Sequence, residues 1–524
     1  MTQHAVIVGG GHNGLVAANY LARAGWKVTV LEARASFGGV VGRYEYLPGY
    51  AASITNSPGS FDGTVLHELE LHRWGLRFER PEVTLLHPMR ESLFVGWRDP
   101  EAVARQMDGY APGESRRHRQ LVGRLDALGA AAGVTFGQRP RSLAETLARL
   151  DPSWRDEFER VLIAGSLTEL LDESLESDEV KSLMMMLALN GQLVAPTAAG
   201  SAFGLLLRPI ARASATHDPL GSTSAPLRGS VGLPVGSMAA IVDALVASAH
   251  ARGVELRPSA RVCALTMNDD QDITGIELES GEHITDMDAV IVTLEPSQLA
   301  GLLPNAWRSD VERPAAPTGS AFKIALALDG LPEIAHAPAG VPQETLFAAQ
   351  FRIGPDPGYI TRAVEDGIAG LPSENPLIWG LVPSLTSPVV APHGRHLMSL
   401  NVWHAPHALG AAYWRQHGRE FADRCIAQVD RAFPGLRDRI VDRVWLGPHD
   451  IEAEFGLTGS NITHGDMLPV DMLNGRPGLA FAEALEASGV VLGGAGTWPG
   501  GYVTGVPGRN AAMSLLTNQK EFAQ

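Results

Sequence analysis

The chain has 524 residues and a mass of 55.8 kDa, too much for one hydrophobic core and enough for two to four units of about 150 residues. Hydrophobic residues make up 45% and charged residues 19%, with a mean hydropathy of +0.01, which excludes a disordered chain. The formal net charge of −16 excludes a nucleic-acid backbone as partner and leaves an anionic membrane only a local basic patch to hold.

The first predicted element is the apolar run Ala5 to Val8, a buried strand opening a parallel sheet. It runs into Gly9-x-Gly11-x-x-Gly14, in the stretch VIVGGGHNGLVAANYLARAGWKVTVLEAR at 6–34. Gly9 permits the tight turn, Gly11 lets backbone approach a pyrophosphate, and Gly14 lets the next helix pack on the strand. That helix is expected from about Asn13 to Ala24, with Ala17, Ala18 and Leu21 as its packing face and Gly25 ending it. With 57 glycines in the chain, such a triplet arises by chance about 0.7 times, so context decides its meaning. The context is a strand before, a helix after, a second strand through Val28, Val30 and Leu31, and then Glu32, eighteen residues past Gly14. A carboxylate there accepts from ribose hydroxyls and repels a 2′-phosphate, which favours FAD or NAD.

Further along, Gly38 and Gly39 offer a second set of amides to a pyrophosphate, close after Ala33 and Arg34. The run Asp172 to Glu179 reads as a solvated, acidic helix start, and the strongly apolar 184–207 as core or as the wall of a hydrophobic tunnel. Residues 236–267 read as a helix followed by strands, and 273–294 as a hairpin ending in a buried strand at Ala289 to Val292. The two cysteines, Cys263 and Cys425, are far apart and form no C-x-x-C, which excludes a redox dithiol; both are expected as buried thiols. Near the C-terminus, 490–516 reads as strand, glycine-rich loop and a helix from about Gly508. Its positive end suits the pyrimidine side of a flavin, which selects FAD over NAD. No signal peptide precedes the first strand and no apolar run of eighteen residues exists, so the expected compartment is the cytoplasm.

GGGHNGL (9–15) and GTWPGGYVTGVPGRNAA (496–512) together resemble the phytoene desaturase-like FAD oxidoreductases of the amine oxidase superfamily. The branch is that of pyridine nucleotide-disulphide oxidoreductase domain-containing protein 2. The segments 169–191, RGSVGLPVGSM (228–238), SAFKIALALDGLP (320–332) and 459–473 resemble the family in the same order. The resemblance implies an α/β chain: a Rossmann-like FAD-binding domain from 1–75, 228–300 and 445–524, and a discontinuous α+β substrate domain from 76–227 and 301–444. It implies cofactor contacts from Gly9, Gly11, His12, Asn13, Gly14, Glu32, Ala33, Arg34, Gly38 and Gly39, and backbone contacts to adenine near Val262. From the far loop it implies Gly496, Thr497, Tyr502 and Val503. The family's final motif usually reads G-T-H-P-G-G-G; here Trp498 replaces the histidine and Tyr502 the last glycine. Both are expected beside the flavin, flanking substrate.

A flavin supplies the hydride chemistry, so few side chains are strictly required. Lys323, one of only four lysines, sits in the apolar strand-like run AFKIALAL and is the first catalytic candidate. In the wider superfamily a strand lysine holds a water near the flavin. His404, in a strand that the resemblance places along the substrate cavity, is the second, as a proton shuttle. His393, His396, His404 and His407 lack an accompanying carboxylate cluster, so no metal is expected. No Ser-His-Asp pattern points to hydrolysis. No second G-x-G-x-x-G leaves room for an NADPH domain, so electrons are expected to pass to oxygen or a quinone. The expected reaction is dehydrogenation of a C–C or C–N bond in a hydrophobic small molecule. A redox-neutral isomerase and a flavin-free lipid or prenyl carrier are the alternatives. Peripheral membrane contact is compatible with an apolar substrate, and nothing in the sequence fixes the oligomeric state.

Overall fold

The computed structural model describes residues 2–56, 60–214, 232–309, 311–312, 321–474 and 476–522. The start of RGSVGLPVGSM (228–231), with the expected boundary at 228, lies outside the described residues, as does Ser320.

Five parallel strands form the first sheet, in the order Val490–Leu492, Ala289–Val292, His4–Val8, Lys27–Leu31 and Glu255–Arg257. His4–Val8 and Ala289–Val292 are buried at every position because both sheet faces are covered, which is why they read as continuous apolar runs. One face packs on the helices His12–Arg23, Ala239–Ala251 and Val506–Phe522. The other packs on a three-stranded antiparallel meander, Val262–Met267, Ile273–Leu278 and His283–Ile284, through Leu265, Ile276 and Leu278. That meander alternates in and out, and Cys263 falls on its outer face. It is exposed, not buried as expected, whereas Cys425 is buried.

The helix His12–Arg23 ends where Gly25 takes φ +90°, and Trp26 N–H closes on Leu21 O at 3.1 Å. A Cβ at Gly508 would stand 2.0 Å from Asn13 O, so glycine there lets the last helix meet the first.

The second sheet has seven strands: Ile440–Leu446, Phe322–Leu328, His396–Val402, Ile378–Leu381, Gln350–Ile353, Val83–Pro88 and Leu93–Trp97. All pairs are antiparallel except Gln350–Ile353 with Val83–Pro88. The helix Gly410–Ala432 covers one face with Trp414, Phe421 and Cys425, and Phe322 packs edge-on against Phe421. Ile440–Leu446 carries two residues, Trp445 and Leu446, across the expected boundary between 444 and 445. No helix among the described residues is long and apolar enough to cross a membrane.

Candidate active site

A cavity of about 540 Å³ runs between the two sheets, and it draws its wall from both. The first turn lies in its wall. Gly9 adopts φ +103° and donates to Leu31 O at 2.8 Å. Gly11 caps the helix without any side-chain hydrogen bond, and a Cβ on it would meet nothing within 4 Å: this backbone faces the cavity. Gly38, at φ +111°, donates to Gly10 O at 2.8 Å and bridges Gly11. The free amides of the first helical turn, with no acidic residue among them, suit a diphosphate.

To one side, Glu32 is buried in the wall, with one oxygen accepting from Gly10 N–H and the other from Arg34 N–H, both at 2.8 Å. A carboxylate oxygen has a second lone pair for a ribose hydroxyl. Ala33, Arg34 and Val262 line the same end. His12, Asn13, Gly39 and Val503 also line the cavity. Burial pushes His12 down to about 4, so its imidazole is neutral at pH 7. Asn13 Oδ1 and His464 Nδ1 are buried in the wall without a hydrogen-bond partner. A cradle of bare amides, a carboxylate at one end and orphaned polar atoms between fit FAD.

At the far end stands Lys323. Its Nζ contacts Ile54 O, Ser399 Oγ and Asn401 Oδ1, each at 2.7 Å, and no carboxylate. Burial holds its ammonium well below the ordinary lysine range. Ser399 Oγ in turn donates to Asn56 Oδ1 at 2.9 Å, and Gln350 Nε2 donates to Asn56 O at 2.8 Å. Trp379 and Trp403 meet edge to face at 5.5 Å in the same wall, and both indole N–H groups lack partners. Tyr502 lines the cavity with its hydroxyl 3.4 Å from Asn190 O.

Five expected residues sit elsewhere. Gly14 is packed out of the cavity, since a Cβ on it would stand 2.0 Å from Gly9 O. Gly496 abuts Pro296, and Thr497 Oγ1 turns inward to Gly494 O at 2.8 Å; the loop reaches the cavity only through Ala495 and residues 500–503. Trp498 is buried against Phe136 and donates Nε1–H to Thr135 O at 2.8 Å, so it flanks no substrate. His404 lies outside the cavity wall and packs by Gly367 and Leu193, with both ring nitrogens unpartnered and its acidity pushed to about 4 by burial. The reason is that the strand His396–Val402 has already ended: His404 takes φ +64° and leaves the wall that Asn401 and Trp403 line.

Sequence reasoning missed Asn56, Gln350, Asn401, Trp379 and Trp403. For Asn401 and Trp403 the signal existed, as the period-two pattern S-x-N-x-W at 399–403, directly before His404. His407 does have a carboxylate beside it, contrary to expectation: Glu452 accepts at 2.7 Å, and His449 stacks on His407 at 3.9 Å between ring centres. The three share one short reach, and Glu452 is already occupied by His407 and by Gly459 N–H.

Residues 14–495 match the family described as flavin containing amine oxidoreductase. The chain belongs to this family. It is an FAD-dependent oxidoreductase. It is 29% identical over 565 residues to the Rattus norvegicus pyridine nucleotide-disulfide oxidoreductase domain-containing protein 2, covering 99% of this chain and 94% of that protein. Both cysteines here are free. Among solved structures it resembles an oxidoreductase from Methanosarcina mazei, with TM-score 0.59 and 16% identity over 98% of this chain and all of that one. It also resembles the cyclohexylamine oxidase of Brevibacterium oxydans IH-35A, with TM-score 0.59 and 16% identity over 99% of this chain and all of that one. At such identities the likeness concerns the fold.

Proposed function

We propose that this flavoenzyme dehydrogenates a hydrophobic small molecule, removing hydride from carbon and leaving a new C=C or C=N bond. Bound FAD would supply the hydride acceptor and a route for the electrons to oxygen or a quinone. The chain's own part begins with holding it: the amides of Gly11, His12 and Asn13 and the Gly38–Gly39 turn serve the diphosphate, and Glu32 the ribose.

The observation that carries the reading is Lys323. Burial lowers the Lys323 ammonium and no carboxylate pins its charge, while Ile54 O, Ser399 Oγ and Asn401 Oδ1 accept the hydrogens of its protonated form, which makes it our candidate proton carrier. In the proposed reaction Nζ, which lines the flavin cavity, takes the proton that leaves as hydride departs. Trp379, Trp403 and Tyr502 press a flat or apolar group into place and keep water out. The open diphosphate cradle argues against a flavin-free carrier.

The test is anaerobic mixing of the holoenzyme with a panel of apolar acids, alcohols and amines, read by loss of the flavin's visible absorbance. A compound that bleaches the flavin should do so roughly a hundredfold more slowly with Lys323→Met. Unchanged reduction and reoxidation rates in that variant would remove Lys323 from the mechanism. Product formed without consumption of any oxidant would establish the isomerase instead.

A further inference from the structure

The fold brings His407, His449 and Glu452 together, although 42 residues separate the two histidines. His449 and Glu452 stand three apart on the helix Pro448–Phe455 and so share one face of it. His407 opens the short turn His407–Leu409, ahead of the helix Gly410–Ala432. The buried Trp414 holds both segments in place. Its Nε1–H donates to Pro406 O at 3.0 Å, next to His407. A Cβ on Gly447, which caps the other helix, would stand 3.4 Å from the Trp414 Cβ.

The hydrogen bonds decide which lone pairs are bare. His449 Nε2 lies 3.1 Å from His407 O. A carbonyl only accepts, so the ring proton is on Nε2 and Nδ1 carries an open lone pair. That nitrogen stands 3.7 Å from Glu452 Oε2, too far for a hydrogen bond: two acceptors with no proton between them. Glu452 Oε1 accepts from Gly459 N–H at 3.0 Å, which orients the carboxylate and leaves Oε2 to the histidines. His407 Nε2 donates to Oε2 at 2.7 Å. An imidazole tied by its spare N–H to a backbone carbonyl, and a carboxylate tied by its spare oxygen to an amide, are the supports that metal ligands use. One ligand atom from each of the three lies within 4.8 Å of the others. Ligands on one tetrahedral zinc ion stand about 3.4 Å apart, so adjustments of about 1 Å suffice.

We propose that His407 Nε2, His449 Nδ1 and Glu452 Oε2 bind one divalent cation of the zinc type. The ion takes the place of the proton between His407 and Glu452, and that proton leaves to solvent. Two imidazoles and one carboxylate suit zinc, cobalt or nickel, whereas magnesium and calcium take oxygen ligands. The three side chains are 28%, 26% and 33% exposed, so an ion enters directly from solvent and water completes its coordination. The expectation that no metal binds is thereby reversed, because the carboxylate that the histidines around 393–407 lack in sequence comes from a later helix. The site stands apart from Lys323 and does not depend on the reaction proposed there.

The FAD-loaded enzyme is stripped of metal with EDTA and titrated with Zn²⁺ by calorimetry, with no turnover required. One zinc should bind per chain, and a large excess of Mg²⁺ should not displace it. His449→Ala and Glu452→Gln should each weaken that site at least about tenfold. His449 lies outside the wall of the flavin cavity, so a normal FAD content in its variant reports an intact fold. Should a variant lose FAD, Co²⁺ on the unaltered chain decides: ligand-field bands of a nitrogen-bound ion beyond the flavin absorbance support the site, and the spectrum of aqueous cobalt refutes it. Zinc binding that is absent, that yields to Mg²⁺, or that is unchanged in both variants would overturn the proposal. In the last case the ion sits on others of the seventeen histidines.

Discussion

The two ends of the large cavity are made in opposite ways. The nucleotide end is backbone: a helix start, two glycine turns and one carboxylate, drawn from 9–39. The lysine end is side chains: Asn56 comes from a loop, Lys323, Gln350, Trp379 and Asn401 from four strands of the seven-stranded sheet and Trp403 from just past the last of these, and only register brings them together. A site for an invariant cofactor can be written into one short stretch. A site for a particular substrate is spread over the topology, where each position is free to change without disturbing the turn that holds the flavin.

If that contrast is right, the glycine end should fail all at once. Gly14→Ala places a methyl 2.0 Å from Gly9 O, and neither the helix nor the turn can yield without spoiling the cradle. The expected result is a loss of several kcal/mol and apoprotein on purification, read by thermal unfolding and flavin content. Full flavin occupancy at normal stability would mean the helix can slide, and the cradle is softer than its packing shows. Glu32→Ala should come next. It strips the acceptor from the buried Gly10 amide, at about 1–3 kcal/mol, and from the half-buried Arg34 amide, and removes the ribose contact. FAD should wash out on ultrafiltration with an affinity at least about tenfold lower. An unchanged affinity would make the carboxylate a brace for the turn alone.

The same contrast explains what could be read from the sequence. The parallel sheet was legible because strands buried on both faces leave unbroken apolar runs, and because Gly9, Gly11, Gly14 and Glu32 keep fixed distances. Lys323 was legible because a lysine is conspicuous in an apolar strand. His404 was misplaced because it lies past the strand's end at Val402, where a φ of +64° turns it out of the wall, and an apolar-polar pattern does not show where a strand stops. Asn56 and Gln350 carried no signal: each is an ordinary polar residue whose meaning lies in a partner hundreds of positions away. Cys263 was misjudged by residue type, since a sheet covered on one face exposes every second position.

Trp498 offers the finest test, because it replaces a histidine that the family usually carries within a loop that does reach the flavin cavity. Here the indole points away, stacked edge-on with Phe136 at 6.0 Å and tied to Thr135 O. Neighbouring Tyr502 and Val503 hold φ at +80° and +56°, a costly conformation for side-chain-bearing residues, and both line the cavity. The strained pair, not the tryptophan, forms the working surface of the loop. Trp498→His should therefore lower stability by about 1–3 kcal/mol through lost packing and leave the rate of flavin reduction unchanged. Tyr502→Gly should relieve backbone strain while altering which compounds bleach the flavin. A Trp498→His enzyme with normal stability but altered reduction would place the indole at the flavin after all, and would make this loop, like the lysine end, a substrate surface built from side chains.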